Sequence, residues 1–174
     1  MRRRLLAAAS VAALCSSPVW ADEEISNERT SPVRTSTAGD VVITSSGRVT
    51  LTGNSGPAVV IDSDNSVETA SGSEITINDR NGAVGIFAES GRTGEIVHGG
   101  RIAMADADVN GNQSLDEAFE NYTNERDKTG ILIGSPAGAA FSGDVIVEGG
   151  STINVTGQDS YGIRVASDID GDLA

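Results

Sequence analysis

The chain has 174 residues and a net charge of −13; 38% of it is hydrophobic but only 3% aromatic, and glycine alone supplies 21 residues. So few Phe, Trp and Tyr exclude a compact globule built around aromatic area, while aliphatic residues in short alternating runs argue against intrinsic disorder. The class left is β-rich, turn-rich and thin-cored, at the size of one small domain.

Residues 1–21 read as an export signal. Met1-Arg2-Arg3-Arg4 is a cationic start, residues 5–14 are an apolar run, and Val19-Trp20-Ala21 stands before the acidic Asp22-Glu23-Glu24. This is the three-part layout of a secretory signal peptide with a small-x-small cleavage site. The apolar run is about half of what a spanning helix needs, so no transmembrane segment is expected in the mature chain. A lipoprotein signal would have to use Cys15, but Leu14 stands where such signals carry a small residue, and that reading is rejected. Cys15 is the only cysteine, so the mature chain has no disulfide of its own. The signal holds three of the 12 basic residues and no acidic one, so its removal moves the charge from −13 to −16. Such a polyanion is repelled by nucleic-acid phosphates and anionic membranes. Nucleic acid is therefore excluded as a partner, and divalent cations are favoured.

Next in the chain, residues 22–38 are polar and charged and read as a loosely held N-terminal lead-in. Val41-Val42-Ile43 reads as a first, incomplete coil. Repeats follow. Segments 47–61, 72–86, 100–104 and 150–163 each open with Gly and alternate apolar with polar residues; the complete ones pass a polar turn and begin a second alternation. The first strands pair Val49 with Leu51, Ile75 with Ile77, Ile102 with Met104 and Ile153 with Val155; the second carry Val59/Ile61, Val84/Ile86, Ile131/Ile133 and Ile163/Val165. A period of two means strands with one buried face.

Spacing then selects the architecture. Val49 to Ile75 is 26 residues, Ile75 to Ile102 is 27, and Ile102 to Ile153 is 51. A sandwich would show strands every 8–12 residues or so with hairpin turns. A unit near 26 residues fits one coil of a parallel β-helix, each turn laying its strands on the previous one. The expected fold is all-β: an incomplete right-handed parallel β-helix (a solenoid) of about four coils over residues 39–174, roughly 20 Å tall at about 4.8 Å per coil. The surplus in the last interval lies mostly in an acidic excursion at residues 105–128, and otherwise in a small-residue loop at 134–143. The chain stops at Ala174 in mid-repeat, where an uncapped coil exposes strand edges, so it reads as the beginning of a longer polypeptide.

The signal, the acidic cysteine-free mature chain and the Gly-opening repeats together resemble the passenger region of bacterial autotransporters. The most specific match is Ser160-Tyr161-Gly162-Ile163 after residues 150–157, which is similar to the S-x-G-I turns of alphaproteobacterial passengers; these also tend to carry Asp-rich insertions between early coils. The resemblance covers residues 1–21 and 39–174 and implies export through the periplasm and outer membrane by the type V route, to the cell surface or beyond. It implies a structural or interaction role such as adhesion. Implied partners are further passenger coils and an outer-membrane barrel that this chain lacks, together with host or neighbouring-cell surface molecules. Without the barrel this chain cannot export itself.

The sharpest chemical motif lies in the excursion. With Asp106 as position 1, oxygen ligands fall at Asp108, Asn110, Ser114 and Glu117, Gly111 takes position 6, and Asn112 offers its carbonyl at position 7. That is the order of a calcium loop, in which carboxylates converge on a hard cation and the last Glu closes the site. Gln113 departs from the usual Ile or Val at position 8, and the preceding residues read as strand, so this is no helix-loop-helix. The alternative is a solvated acidic loop. Asp168-Ile-Asp170-Gly171-Asp172 is a shorter echo and reads as a charged turn.

Catalysis has little support, and the chain is not expected to be an enzyme. Gly53-Asn54-Ser55-Gly56-Pro57 weakly resembles a serine-protease nucleophile loop, but the repeats place it at an ordinary coil turn. His98, the only histidine, sits beside Gly99-Gly100 and reads as an exposed loop residue. Asp79 and Glu89 could form a carboxylate pair on one face, as in polysaccharide-degrading β-helices, although exposed charges usually serve solubility. The enzymatic alternative is therefore the N-terminal fragment of a secreted β-helical polysaccharide lyase or hydrolase. A third reading is a calcium-binding module that acts alone.

Overall fold

A computed structural model describes residues 22–52, 56–78, 81–104 and 126–174. The signal segment 1–21 lies outside the described residues. Strands recur in the same order on every turn. The first rung holds β1 (Glu23–Ile25), β2 (Glu28–Arg29), β3 (Val33–Arg34) and a one-turn helix α1 (Thr35–Ala38); the second holds β4 (Val41–Ile43), β5 (Arg48–Thr52) and β6 (Pro57–Ile61). The third holds β7 (Val67–Thr69), β8 (Glu74–Asn78) and β9 (Val84–Ala88). The fourth holds β10 (Ile96–His98), β11 (Arg101–Met104), β12 (Thr129–Ile133) and β13 (Phe141–Ser142). The fifth holds β14 (Val145–Val147), β15 (Thr152–Val155), β16 (Tyr161–Val165) and β17 (Ile169–Asp170).

Equivalent strands stack into three five-stranded sheets, β1-β4-β7-β10-β14, β2-β5-β8-β11-β15 and β3-β6-β9-β12-β16, with a two-stranded sheet β13-β17 at one corner. All pairings are parallel. This is the right-handed parallel β-helix that the spacing predicts. Val49 pairs with Ile75, Ile75 with Ile102, and Ile102 with Ile153; on the next face Val59, Ile86, Ile131 and Ile163 follow suit.

Two expectations need correction. Residues 22–38 are no loose lead-in: β1, β2 and β3 pair with β4, β5 and β6 in register, so this stretch is a rung below the four read from the repeats. Ile25 and Val33 supply its apolar contacts at 5% and 1% exposure, few enough to be masked by the surrounding charges. Val41–Ile43 is likewise no incomplete coil but the opening strand of a full one, on a third face whose strands are only three residues long.

The core is a narrow column. Val49, Leu51, Ile77, Ile86, Ile96, Ile102 and Ile131 are fully buried, each contributing about 1.5–3 kcal/mol of transfer free energy. β13 adds a fourth side, and its Phe141 is fully buried in the core. A column of small residues explains the Gly-Ile pattern. Ala58, Gly85, Gly130 and Gly162 precede the ladder residues Val59, Ile86, Ile131 and Ile163; a Cβ at Gly130 would lie 2.5 Å from the carbonyl oxygen of Gly162, and one at Gly85 would lie 2.5 Å from that of Gly130.

Outside, the second sheet carries a row of alternating charge: Glu28, Arg48, Glu74 and Arg101 lie opposite one another. Arg48 Nε is 3.6 Å from Glu74, and Arg101 pairs with the same carboxylate. Each exposed pair is worth about 0–1 kcal/mol. A slip of one rung would set like charges opposite each other, which reinforces the register.

Candidate functional site

All six candidate calcium ligands, Asp106, Asp108, Asn110, Asn112, Ser114 and Glu117, lie outside the described residues, as do Gly53, Asn54, Ser55 and Asp79. The attachment points of the excursion are described. On one side β11 ends at Met104, paired with Val155. On the other, Arg126 bridges to Gln158, its N–H donates to Asn81 Oδ1 at 2.8 Å, and its carbonyl accepts from Gly82 N at 2.9 Å. Lys128, the sole lysine, is fully buried where the chain rejoins the stack, and its N–H donates to Ser160 Oγ at 3.2 Å. The excursion therefore leaves from and returns to fixed rungs.

His98 is not an exposed loop residue. It ends β10 with its side chain fully buried, in the inward column Ile25, Ile43, Thr69, His98, Val147. Its Nδ1 is 2.8 Å from Thr69 Oγ1, and its Nε2 is 3.4 Å from the Thr152 carbonyl. Burial pushes its pKa down, outweighing the Thr152 hydrogen bond and the Glu148 charge, which raise it. The adjacent Gly-Gly concealed the strand, because residues 96–98 end just before that turn.

Asp168–Asp172 is also not a free turn. Ile169 and Asp170 pair with Phe141 and Ser142, and Phe141 N, Gly143 N and Val145 N donate to the carbonyls of Asp168, Asp170 and Asp172 at 2.9, 3.0 and 2.8 Å. Glu89 faces Arg92, with Oε2 3.4 Å from Nη2.

Corner carboxylates are what sequence reasoning missed. Asp40 Oδ1 accepts from Ser66 N at 2.7 Å, Asp64 Oδ1 from Thr93 N at 3.1 Å, and Asp144 Oδ1 from Asp172 N at 2.8 Å. Each holds the corner of the rung above, satisfying a backbone donor that no strand can reach. Asp62 works downward: it accepts from Ser36 N at 2.8 Å, from Ser36 Oγ at 2.9 Å and from Arg34 Nη1 at 2.7 Å. Burial alone pushes its carboxyl up, but the Ser36 N–H, the Arg34 guanidinium and the Ser36 hydroxyl together hold it below the usual range. A carboxyl depressed on folding stabilises above its unfolded pKa, about 3.9, and that contribution fades as pH falls through the folded value. Asp62→Ala is thus expected to cost about 1–2 kcal/mol at pH 7, with the gap to wild type narrowing by pH 3 in paired urea titrations.

Two grooves of about 140 and 200 Å³ each cross three rungs, and a recess of about 230 Å³ lies over residues 23–29 of the first; each is below the roughly 300–1,000 Å³ of small-molecule sites. Among the described residues, no group of three or more His, Cys, Asp or Glu is placed to hold a metal ion, and no helix is long and apolar enough to cross a membrane. Compared with known proteins, the chain matches no family model, no curated protein and no solved structure.

Proposed function

We propose that this chain is a structural and interaction segment of an autotransporter passenger, exported by the type V route and displayed at the bacterial surface, where a long solenoid face serves adhesion. The β-helical register, held rung upon rung from Ile25 to Ile169, is the observation that carries this reading. A stack in which each turn contacts only its neighbours extends by repetition and presents continuous flat faces. The test is expression of the parent reading frame. The expected result is a mature N-terminus at Asp22, read by mass spectrometry, with residues 22–174 cleaved by protease added to intact cells. A protein retaining residues 1–21 in the cytoplasm would end this reading.

Calcium at Asp106, Asp108, Asn110, Asn112, Ser114 and Glu117 belongs to the same proposal. Extracellular calcium modules bind at about 10⁻⁴–10⁻³ M. Millimolar calcium is expected to raise the melting temperature of the wild type, and Asp106→Ala or Glu117→Ala to abolish the rise. Titration calorimetry without heat at millimolar calcium would retire the site.

A further inference from the structure

The column Ile25, Ile43, Thr69, His98, Val147 is aliphatic at both ends and polar in the middle. Inside a solenoid a polar pair must satisfy itself, and the hydrogen bonds around His98 fix how. The Thr152 carbonyl can only accept, so the proton of the neutral ring is on Nε2 and Nδ1 is a lone pair that the Thr69 hydroxyl fills. Thr69 Oγ1 is itself an acceptor, taking Gly100 N–H at 3.4 Å. One ring thus ties the third rung (Thr69 on β7), the fourth (His98 on β10) and the fifth (Thr152 on β15). The turn before β15 is fastened to the same place, with Glu148 N donating to the His98 carbonyl at 2.9 Å and Thr152 N to the Gly100 carbonyl at 3.0 Å.

We propose that His98 is an acid-sensitive latch: its neutral ring holds the fifth rung, β14 to β17, on the stack, and protonation at Nδ1 releases it. A protonated ring donates from both nitrogens. Thr69 Oγ1 would then face two donors, Nδ1–H and Gly100 N–H, with its own proton displaced from the lone pair that had received it. The positive charge would also be sealed from water. Glu148, exposed in the turn after β14, is the carboxylate acting on the ring. The other charged groups on the packed strands point away: Glu68 on β7 is exposed, and Glu74 on β8 and Arg101 on β11 pair with each other outside. Glu148 therefore opposes release but does not prevent it.

The sign follows from burial. The folded pKa lies below that of the unfolded ring, about 6.5, so the open form binds the extra proton. The latch is intact above pH 6.5 and weakens as pH falls, by up to about tenfold in the open population per pH unit until the folded pKa is passed. Because His98 is the only histidine, one imidazole is seen in a ¹H–¹⁵N titration of the whole chain. The expected result is an Nε2–H ring titrating below 6.5, with hydrogen exchange in β14–β16, corrected for intrinsic pH effects, accelerating between pH 7.5 and 5 while β4–β6 stays protected. Thr69→Val/His98→Val continues the aliphatic column and is expected to make that exchange independent of pH; His98→Gln, which keeps a donor and an acceptor without the titration, is expected to do the same. A ring titrating at or above 6.5, or exchange in β14–β16 unmoved between those pH values, overturns the proposal.

Discussion

Gly130→Val is expected to cost about 3 kcal/mol or more. Its side chain would be driven against the Gly162 carbonyl of the next rung and against Ile153. The obstacle at Gly162 is backbone, which cannot rotate aside without breaking the β12–β16 ladder. Ala58 holds the same place in the second rung and is fully buried, so one methyl can be absorbed and Gly130→Ala should lose less. Gly149 is the control: it has no positive φ, and a Cβ there meets nothing within 4 Å. Gly149→Ala should be neutral or stabilising by up to about 1 kcal/mol. Urea denaturation of the three variants measures the order.

Ile102→Ala is expected to cost about 3–4 kcal/mol. Ile102 is fully buried between Ile75 and Ile153 on its own face and packs against the column from the middle of the stack, where neighbours above and below prevent collapse into the void. Ile153→Ala, one rung higher and only half-buried, should cost about 1–2 kcal/mol, since part of its surface already meets water. Equal losses at the two positions would contradict a column that is closed at Ile102 and open at Ile153. Thermal and urea unfolding of both variants decide it.

Two of the three faces could be read before any coordinates. Strands of four or five residues such as Glu74–Asn78 and Val84–Ala88 leave two inward positions each, and their Ile and Val repeat at the coil length. The third face hid for a physical reason. Its strands have three residues, and two of its inward positions are Thr69 and His98, which break an aliphatic pattern while being buried. The rung at Glu23–Arg34 hid similarly, since it buries little beyond Ile25 and Val33 and shows charges elsewhere, among them the Arg29–Glu23 pair. Glycine in the Gly-Ile motif was legible as a pattern but not as a cause; only the approach of one rung's carbonyl to the next explains it. The corner carboxylates were illegible because each acts on a backbone N–H some 26–29 residues away, a distance at which no local rule operates.

Ladder hydrogen bonds in this protein run along the stacking axis, while the strands lie across it. Tension applied between the two ends therefore pulls on one edge of one rung at a time, in the manner of a zipper, and never shears a whole sheet at once. With 26–27 residues separating equivalent positions such as Val49, Ile75 and Ile102, each released turn would pay out roughly 90 Å of chain, so a filament of such turns would yield in even steps and absorb work as a shock absorber does.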